Sequence, residues 1–246
     1  MLNRITIGEG AATPLLIAHG LFGSARNWGV IQKRLSDRGP VTAVDMRNHG
    51  ASFHDPVHDY PAMADDLAEA IDAPHDVLGH SMGGKAAMVL ALRHPEKVRR
   101  LIVADIAPVP YTHSQMGPLT AMRAVDLSRV TSRADAREQM TDLDPGTRDF
   151  LLQSLDLKDR RWTLNLDALD DQMSAILGFP EVTGTFDGPT MILKGETSDY
   201  VQDAHRDRIR ALFPQARIVT IKGAGHWLHA DKPREVEAAV RAFLDA

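Results

Sequence analysis

The chain has 246 residues, 43% of them hydrophobic and 25% charged, with 28 basic against 33 acidic residues and a formal net charge of -5. These proportions exclude extended disorder and collagen-like order, and the acidic balance argues against a partner held by phosphate neutralisation, such as nucleic acid. With no cysteine at all, disulfides, cysteine-ligated metals and a thiol nucleophile are excluded, so any nucleophile is an oxygen or a nitrogen.

The stretch Met1 to Gly10 carries a charge at Arg4 and no apolar h-region, so no signal peptide is legible. The first predicted strand, Pro14 to Ala18, is also the longest strongly apolar run, far short of the roughly 20 residues of a membrane span. On these grounds the chain reads as cytoplasmic. A helix is predicted over Asn27 to Asp37, ended by Gly39, then a strand over Val41 to Asp45 and a helix over Tyr60 to Asp72. A strand over Asp76 to Gly79 leads into a helix from Met82 to His94, stopped by Pro95, and a strand over Leu101 to Asp105 follows. From 108 to 187 no strand is legible, only helical pieces at Pro118 to Val125, Ser132 to Met140, Thr147 to Leu155 and Leu166 to Leu177. The alternation resumes with strands Thr190 to Lys194 and Ala216 to Ile221 and helices Val201 to Phe213 and Pro233 to Leu244.

Short apolar strands alternating with amphipathic helices predict an α/β protein with a mostly parallel central sheet and helices on both faces. At roughly 150 residues per domain the length allows one or two domains. The element order favours one core, 1–107 and 188–246, interrupted between two strands by a helical cap, 108–187.

The strongest chemical signal is Gly79-His80-Ser81-Met82-Gly83-Gly84, set between a predicted strand and a predicted helix. A serine on that sharp turn is held in strained backbone angles, flanking glycines allow close approach, and the helix N-terminus aims N–H groups at the reacting centre. Serine needs a base oriented by a carboxylate. Of 11 histidines, His226 in Gly223-Ala224-Gly225-His226 follows the last strand, at the sheet edge that carries Ser81. His229 is predicted to orient that loop or be exposed, and His80 to pack or bond locally. Two aspartates end strands between Ser81 and His226: Asp105, and Asp199 in Gly195-Glu196-Thr197-Ser198-Asp199. Either keeps the order Ser, Asp, His. An oxyanion hole needs two donors, predicted as the N–H groups of Met82 and of Leu21 in the loop His19-Gly20-Leu21-Phe22-Gly23. His19 is expected to brace that loop, and Asp45 and Arg47 to pin the loop Asp45 to Ser52.

The residues His19 to Ser24, Asp45 to Ser52, Gly79 to Lys85, Asp105-Ile106-Ala107-Pro108 and Gly225-His226-Trp227 together resemble the α/β-hydrolase fold family over nearly the whole chain. Met46-Arg47-Asn48-His49-Gly50, Tyr60-Pro61-Ala62-Met63-Ala64 and the Asp105 motif are similar to its YbfF-type esterase branch. The resemblance implies a cofactor-free, metal-free enzyme acting on small acyl esters or thioesters, with Ser81 as nucleophile, His226 as base and the insertion as a helical cap. It favours Asp105 as the acid, with Asp199 the alternative. Carbon-carbon bond hydrolysis or perhydrolysis on the same triad is the competing chemistry, and a non-catalytic ligand-binding protein the competing class. Phe22 and Trp227 are candidates to contact substrate, as are Met82 and the insertion's Met122, Leu152 and Met173, although Met and Leu at helical spacing usually belong to a core.

Overall fold

In the computed structural model, which describes residues 1–112 and 114–246, the strands are β1 (Arg4–Ile7), β2 (Leu15–Ala18), β3 (Val41–Val44), β4 (His75–His80), β5 (Val98–Ala104), β6 (Leu155–Asp156), β7 (Arg161–Trp162), β8 (Thr190–Gly195) and β9 (Ala216–Ile221). The core helices are α1 (Gly29–Leu35), α2 (Tyr60–Glu69) and α3 (Met82–Arg93); the segment between β5 and β8 adds α4 (Met116–Ala124), α5 (Arg133–Gln139), α6 (Pro145–Leu151), α7 (Leu166–Asp171) and α8 (Met173–Leu177). The chain ends with α9 (Arg206–Leu212), α10 (Leu228–Asp231) and α11 (Pro233–Leu244).

Seven strands form one sheet in the order β1-β3-β2-β4-β5-β8-β9. All neighbours are parallel except β1, which pairs antiparallel with β3. Strand β1 was not legible in the sequence: it is a four-residue edge strand, mostly exposed, without the apolar run that marks the covered strands. The sheet also explains why those strands lack strict alternation. Leu15 and Ile17 of β2 enter one core cluster with α1 and α11, while Leu16 and Ala18 enter the other with α2, α3 and α9. With both faces covered, every position of β2 is apolar.

The order reverses between β2 and β4, since the chain runs outward from β2 to β3 and then returns to β4 on the other side. In an open α/β sheet such a switch point leaves a crevice at the carboxyl ends of the two strands, flanked by the loops that follow them. Those loops are His19 to Ser24 and the turn at Ser81.

Three expectations change in detail. The segment 108–187 contains, besides its helices, a small antiparallel pair, β6 with β7; two residues per strand are too few to show a period in sequence. The predicted helix Leu166 to Leu177 breaks at Gln172 into α7 and α8. The predicted helix from Val201 starts only at Arg206, because Gln202 is extended and the chain first makes a short 3-10 turn over Asp203–His205.

Asp76, on β4, is fully buried with neither carboxylate oxygen hydrogen-bonded among the described residues. Its nearest cation, Arg99, lies 3.8 Å away. Burial raises its pKa, so the proton binds the folded state more tightly than the unfolded chain. Stability from this group is full below the ordinary aspartate range and is lost as pH rises through the raised value. Asp76→Asn is therefore expected to melt higher than wild type at pH 7, with the gap closing towards pH 4. Asparagine removes the penalty of ionising a buried carboxyl, about 1 kcal/mol or more, which at this size is roughly 2–4 °C in Tm. Melting curves at pH 4, 5.5 and 7 check it, and a gap that does not depend on pH would refute it.

Candidate active site

Strand β4 delivers Ser81 onto a turn with φ 52° and ψ -119°, a left-handed conformation that an L-residue holds only under constraint, at about 1–3 kcal/mol. The constraint is backbone: Ser81 N–H donates to Ala104 O at 3.0 Å, and Lys85 N–H donates to Ser81 O at 3.0 Å. Glycine makes the crossing of strand and helix possible. A Cβ on Gly79 would lie 2.2 Å from Gly83 O, and one on Gly83 would lie 2.4 Å from His19 O.

The loop after β9 brings His226 to this turn, with Nε2 3.0 Å from Ser81 Oγ and Nδ1 2.8 Å from Asp105 Oδ2. A carboxylate only accepts, so the proton belongs on Nδ1 and leaves Nε2 free to accept from the serine. Asp105 directly follows β5, at φ 53°, and is fully buried. Its Oδ1 accepts from Gly195 N–H at 2.9 Å, and its Oδ2 also accepts from Ser198 Oγ. Asp199 is exposed, and among the described residues no hydrogen bond or ion pair links its side chain to His226. The neighbouring Ser198 is the part of that segment that reaches the carboxylate, a contact with no signal in the sequence.

His80 departs from expectation: it bonds across the fold, its Nε2 lying 2.9 Å from the backbone carbonyl of His226. A carbonyl accepts only, so Nε2 carries the proton. His229 is buried and stacks on Trp28 with ring centroids 4.2 Å apart. Burial holds His80 well below the ordinary histidine range and His229 at about 3, so both rings are neutral near pH 7.

The loop after β2 is braced as expected. His19 Nδ1 donates to Gly20 O at 2.7 Å and its Nε2 accepts from Met46 N–H at 3.0 Å. Asp45 accepts from Ala25 N–H at 2.8 Å and Ala51 N–H at 2.9 Å, and Arg47 grips Asp66 with two donors. Phe22 N–H, at φ 62°, is taken by His49 Nε2 at 3.2 Å. Among the described residues the N–H groups of Leu21 and Met82 donate to no protein acceptor, which leaves both available to an incoming oxyanion.

A cavity of about 440 Å³ opens over Ser81, walled by Leu21, Phe22, Met82 and Trp227 and, from the segment between β5 and β8, by Phe150 and Ile176. Met122, Leu152 and Met173 lie instead in the buried core. Lys85, one helical turn beyond Ser81, also lines the cavity, although its side chain is buried. Its Nζ donates to the carbonyls of Leu177 and Gly178 at the end of α8, and burial pushes its pKa down to about 7. No group of three or more His, Asp or Glu side chains among the described residues is placed to hold a metal, and no helix among them is long and apolar enough to cross a membrane.

The alpha/beta hydrolase family model matches residues 15–239. The chain is 41% identical to the sn-1-specific diacylglycerol lipase ABHD11 of Mus musculus, over 96% of this chain and 82% of that protein. It is 40% identical to the esterase YbfF of Escherichia coli (strain K12), over 95% of this chain and 93% of that one. A solved marine microorganism esterase superposes with a TM-score of 0.94 at 38% identity, covering 98% of each chain. The switch-point crevice, the strained serine turn and these matches agree: the chain belongs to the alpha/beta hydrolase family.

Proposed function

We propose that this carboxylic ester hydrolase cleaves small acyl esters and thioesters with Ser81 as nucleophile, His226 as base and Asp105 as the acid that orients the base. The observation that carries the reading is the unbroken line from Asp105 Oδ2 to His226 Nδ1 at 2.8 Å and from His226 Nε2 to Ser81 Oγ at 3.0 Å.

His226 Nε2 takes the hydroxyl proton as Ser81 Oγ bonds to the substrate carbonyl carbon. The carbonyl oxygen becomes an oxyanion held by the N–H groups of Leu21 and Met82 and by the positive end of α3. When the carbon-oxygen or carbon-sulfur bond breaks, the alcohol or thiol leaves with the proton from His226, and Ser81 carries the acyl group. Water, deprotonated by His226, repeats the attack and frees the acid and the serine. Asp105 keeps the imidazole in the productive tautomer and balances its positive charge in both intermediates. The inserted segment, 108–187, serves as the cap that walls the acyl site, with 1–107 and 188–246 as the catalytic core. Phe22 and Trp227 contact the acyl group.

A panel of esters and thioesters from acetyl to octanoyl, assayed beside diketone and dienoic carbon-carbon substrates, tests this reading. Hydrolysis of simple esters is expected to dominate. Turnover confined to the carbon-carbon substrates would replace ester cleavage with carbon-carbon hydrolysis on the same residues.

A further inference from the structure

The imidazole of His226 has an aromatic neighbour that the hydrolytic scheme leaves without a part. Tyr200, just beyond β8, stacks on it with ring centroids 3.8 Å apart and planes 16° apart. The pose is fixed in part by Ser198, which also holds Asp105. Tyr200 N–H donates to Ser198 Oγ at 3.3 Å, and that hydroxyl donates to Asp105. Tyr111 Oη donates to the Tyr200 carbonyl at 2.6 Å and accepts from Ala107 N–H, two residues beyond Asp105, at 2.9 Å. At the far end of the ring, Gln115 donates to the Tyr200 hydroxyl at 3.3 Å.

Among the described residues, the other groups around the imidazole are Asp105 at Nδ1, Ser81 at Nε2, and the His80 ring at 4.8 Å, which is followed by His229 at 4.9 Å from His80. Tyr111 lies behind Tyr200 at 5.2 Å, and Asp231 holds Gly225 N–H in the same loop as His226. His80 and His229 stay uncharged near neutral pH, so neither repels a proton arriving on His226 there. Among the described residues, a positive charge formed on this ring therefore meets the Asp105 carboxylate in its plane and the stacked Tyr200 face above it. The negative face of an aromatic ring attracts a cation and is indifferent to a neutral imidazole by comparison.

We propose that Tyr200 is a positioning residue for the base, its ring holding the His226 imidazole between Asp105 and Ser81 and favouring the imidazolium that forms in each tetrahedral intermediate. The proposal rests on the reading of Ser81, His226 and Asp105 given above.

The acid limb of the kcat/KM profile reports the base of the free enzyme. With a short-chain ester, Tyr200→Leu is expected to move the midpoint of that limb down by about 0.5–1 pH unit. Tyr200→Phe, which keeps the aromatic face and loses the hydroxyl, is expected to leave it in place. Phenylalanine carrying graded ring fluorination at position 200 keeps the shape while draining the face of negative charge, and is expected to lower the midpoint step by step. That series decides the matter even if the leucine variant does not fold. A midpoint unmoved by fluorination overturns the proposal, as does a Tyr200→Leu variant altered in KM alone. His226→Ala measured alongside separates the two readings. Retained turnover there overturns the triad and this inference with it, whereas lost turnover with an unmoved midpoint overturns this inference alone.

Discussion

Ser81→Ala is expected to lower ester turnover by about a millionfold, the scale on which a serine hydrolase loses rate when its nucleophile is removed. The hydroxyl lies 3.0 Å from His226 Nε2, and among the described residues no other hydroxyl is shown bonded to that nitrogen. A fluorophosphonate probe is expected to label wild type at Ser81 and to leave the alanine variant unlabelled. Folding is not the reason for the loss, because alanine suffers the same backbone strain at φ 52° as serine does. Ser81→Gly separates the two roles. It is expected to be equally inactive yet to melt higher than wild type, since glycine relieves strain of about 1–3 kcal/mol at a left-handed position. Wild type that neither reacts with the probe nor hydrolyses any ester of the panel would mark a ligand-binding protein on this fold. An active Ser81→Ala would assign the nucleophile elsewhere.

Asp105→Asn is expected to reduce turnover by about 10⁴, as loss of the orienting aspartate does in serine proteases. The reason lies in donor and acceptor counts. Asp105 accepts from Gly195 N–H, Ser198 Oγ and His226 Nδ1. Asparagine offers one oxygen and one amide in their place. If its amide meets Nδ1, the imidazole proton moves to Nε2, which then faces Ser81 as a donor and cannot take the serine proton. Asp199→Asn changes an exposed side chain with no bond to His226 and is expected to stay within about twofold of wild type, as surface substitutions usually do. Both variants belong in one ester assay. A collapse in Asp199→Asn with Asp105→Asn nearly unaffected would reverse the assignment of the acid.

Much of this site could be read before any fold was known, and the reason is local. Gly79 to Gly84 declares its strained turn because glycine spacing and the change from an apolar strand to an amphipathic helix are properties of adjacent residues. The loops at His19 to Ser24 and at Gly223 to His226 were legible for the same reason, as turn chemistry directly after apolar strands. The unmarked parts are those that bury little or pair at a distance. Strand β1 is exposed and short, and β6 and β7 have two residues each.

Tertiary structure decided which groups meet. Ser81 and His226 are 145 residues apart, and His226 and Asp105 are 121 apart. Sequence order alone left Asp105 and Asp199 as equal candidates to face the histidine. The sheet separates them: β5 and β8 are neighbours in parallel register, so the end of β5 places Asp105 where the amide of Gly195, at the end of β8, and the hydroxyl of Ser198 converge on it. Asp199, one residue further along, is left in solvent. The bond from His80 to His226 spans 146 residues, and the stack of Tyr200 on His226 depends on where two strand ends finish. Periodicity and turn chemistry act within a few residues and therefore show in sequence. Which carboxylate, carbonyl or ring reaches the imidazole depends on strand order and register, which come from packing across the whole sheet.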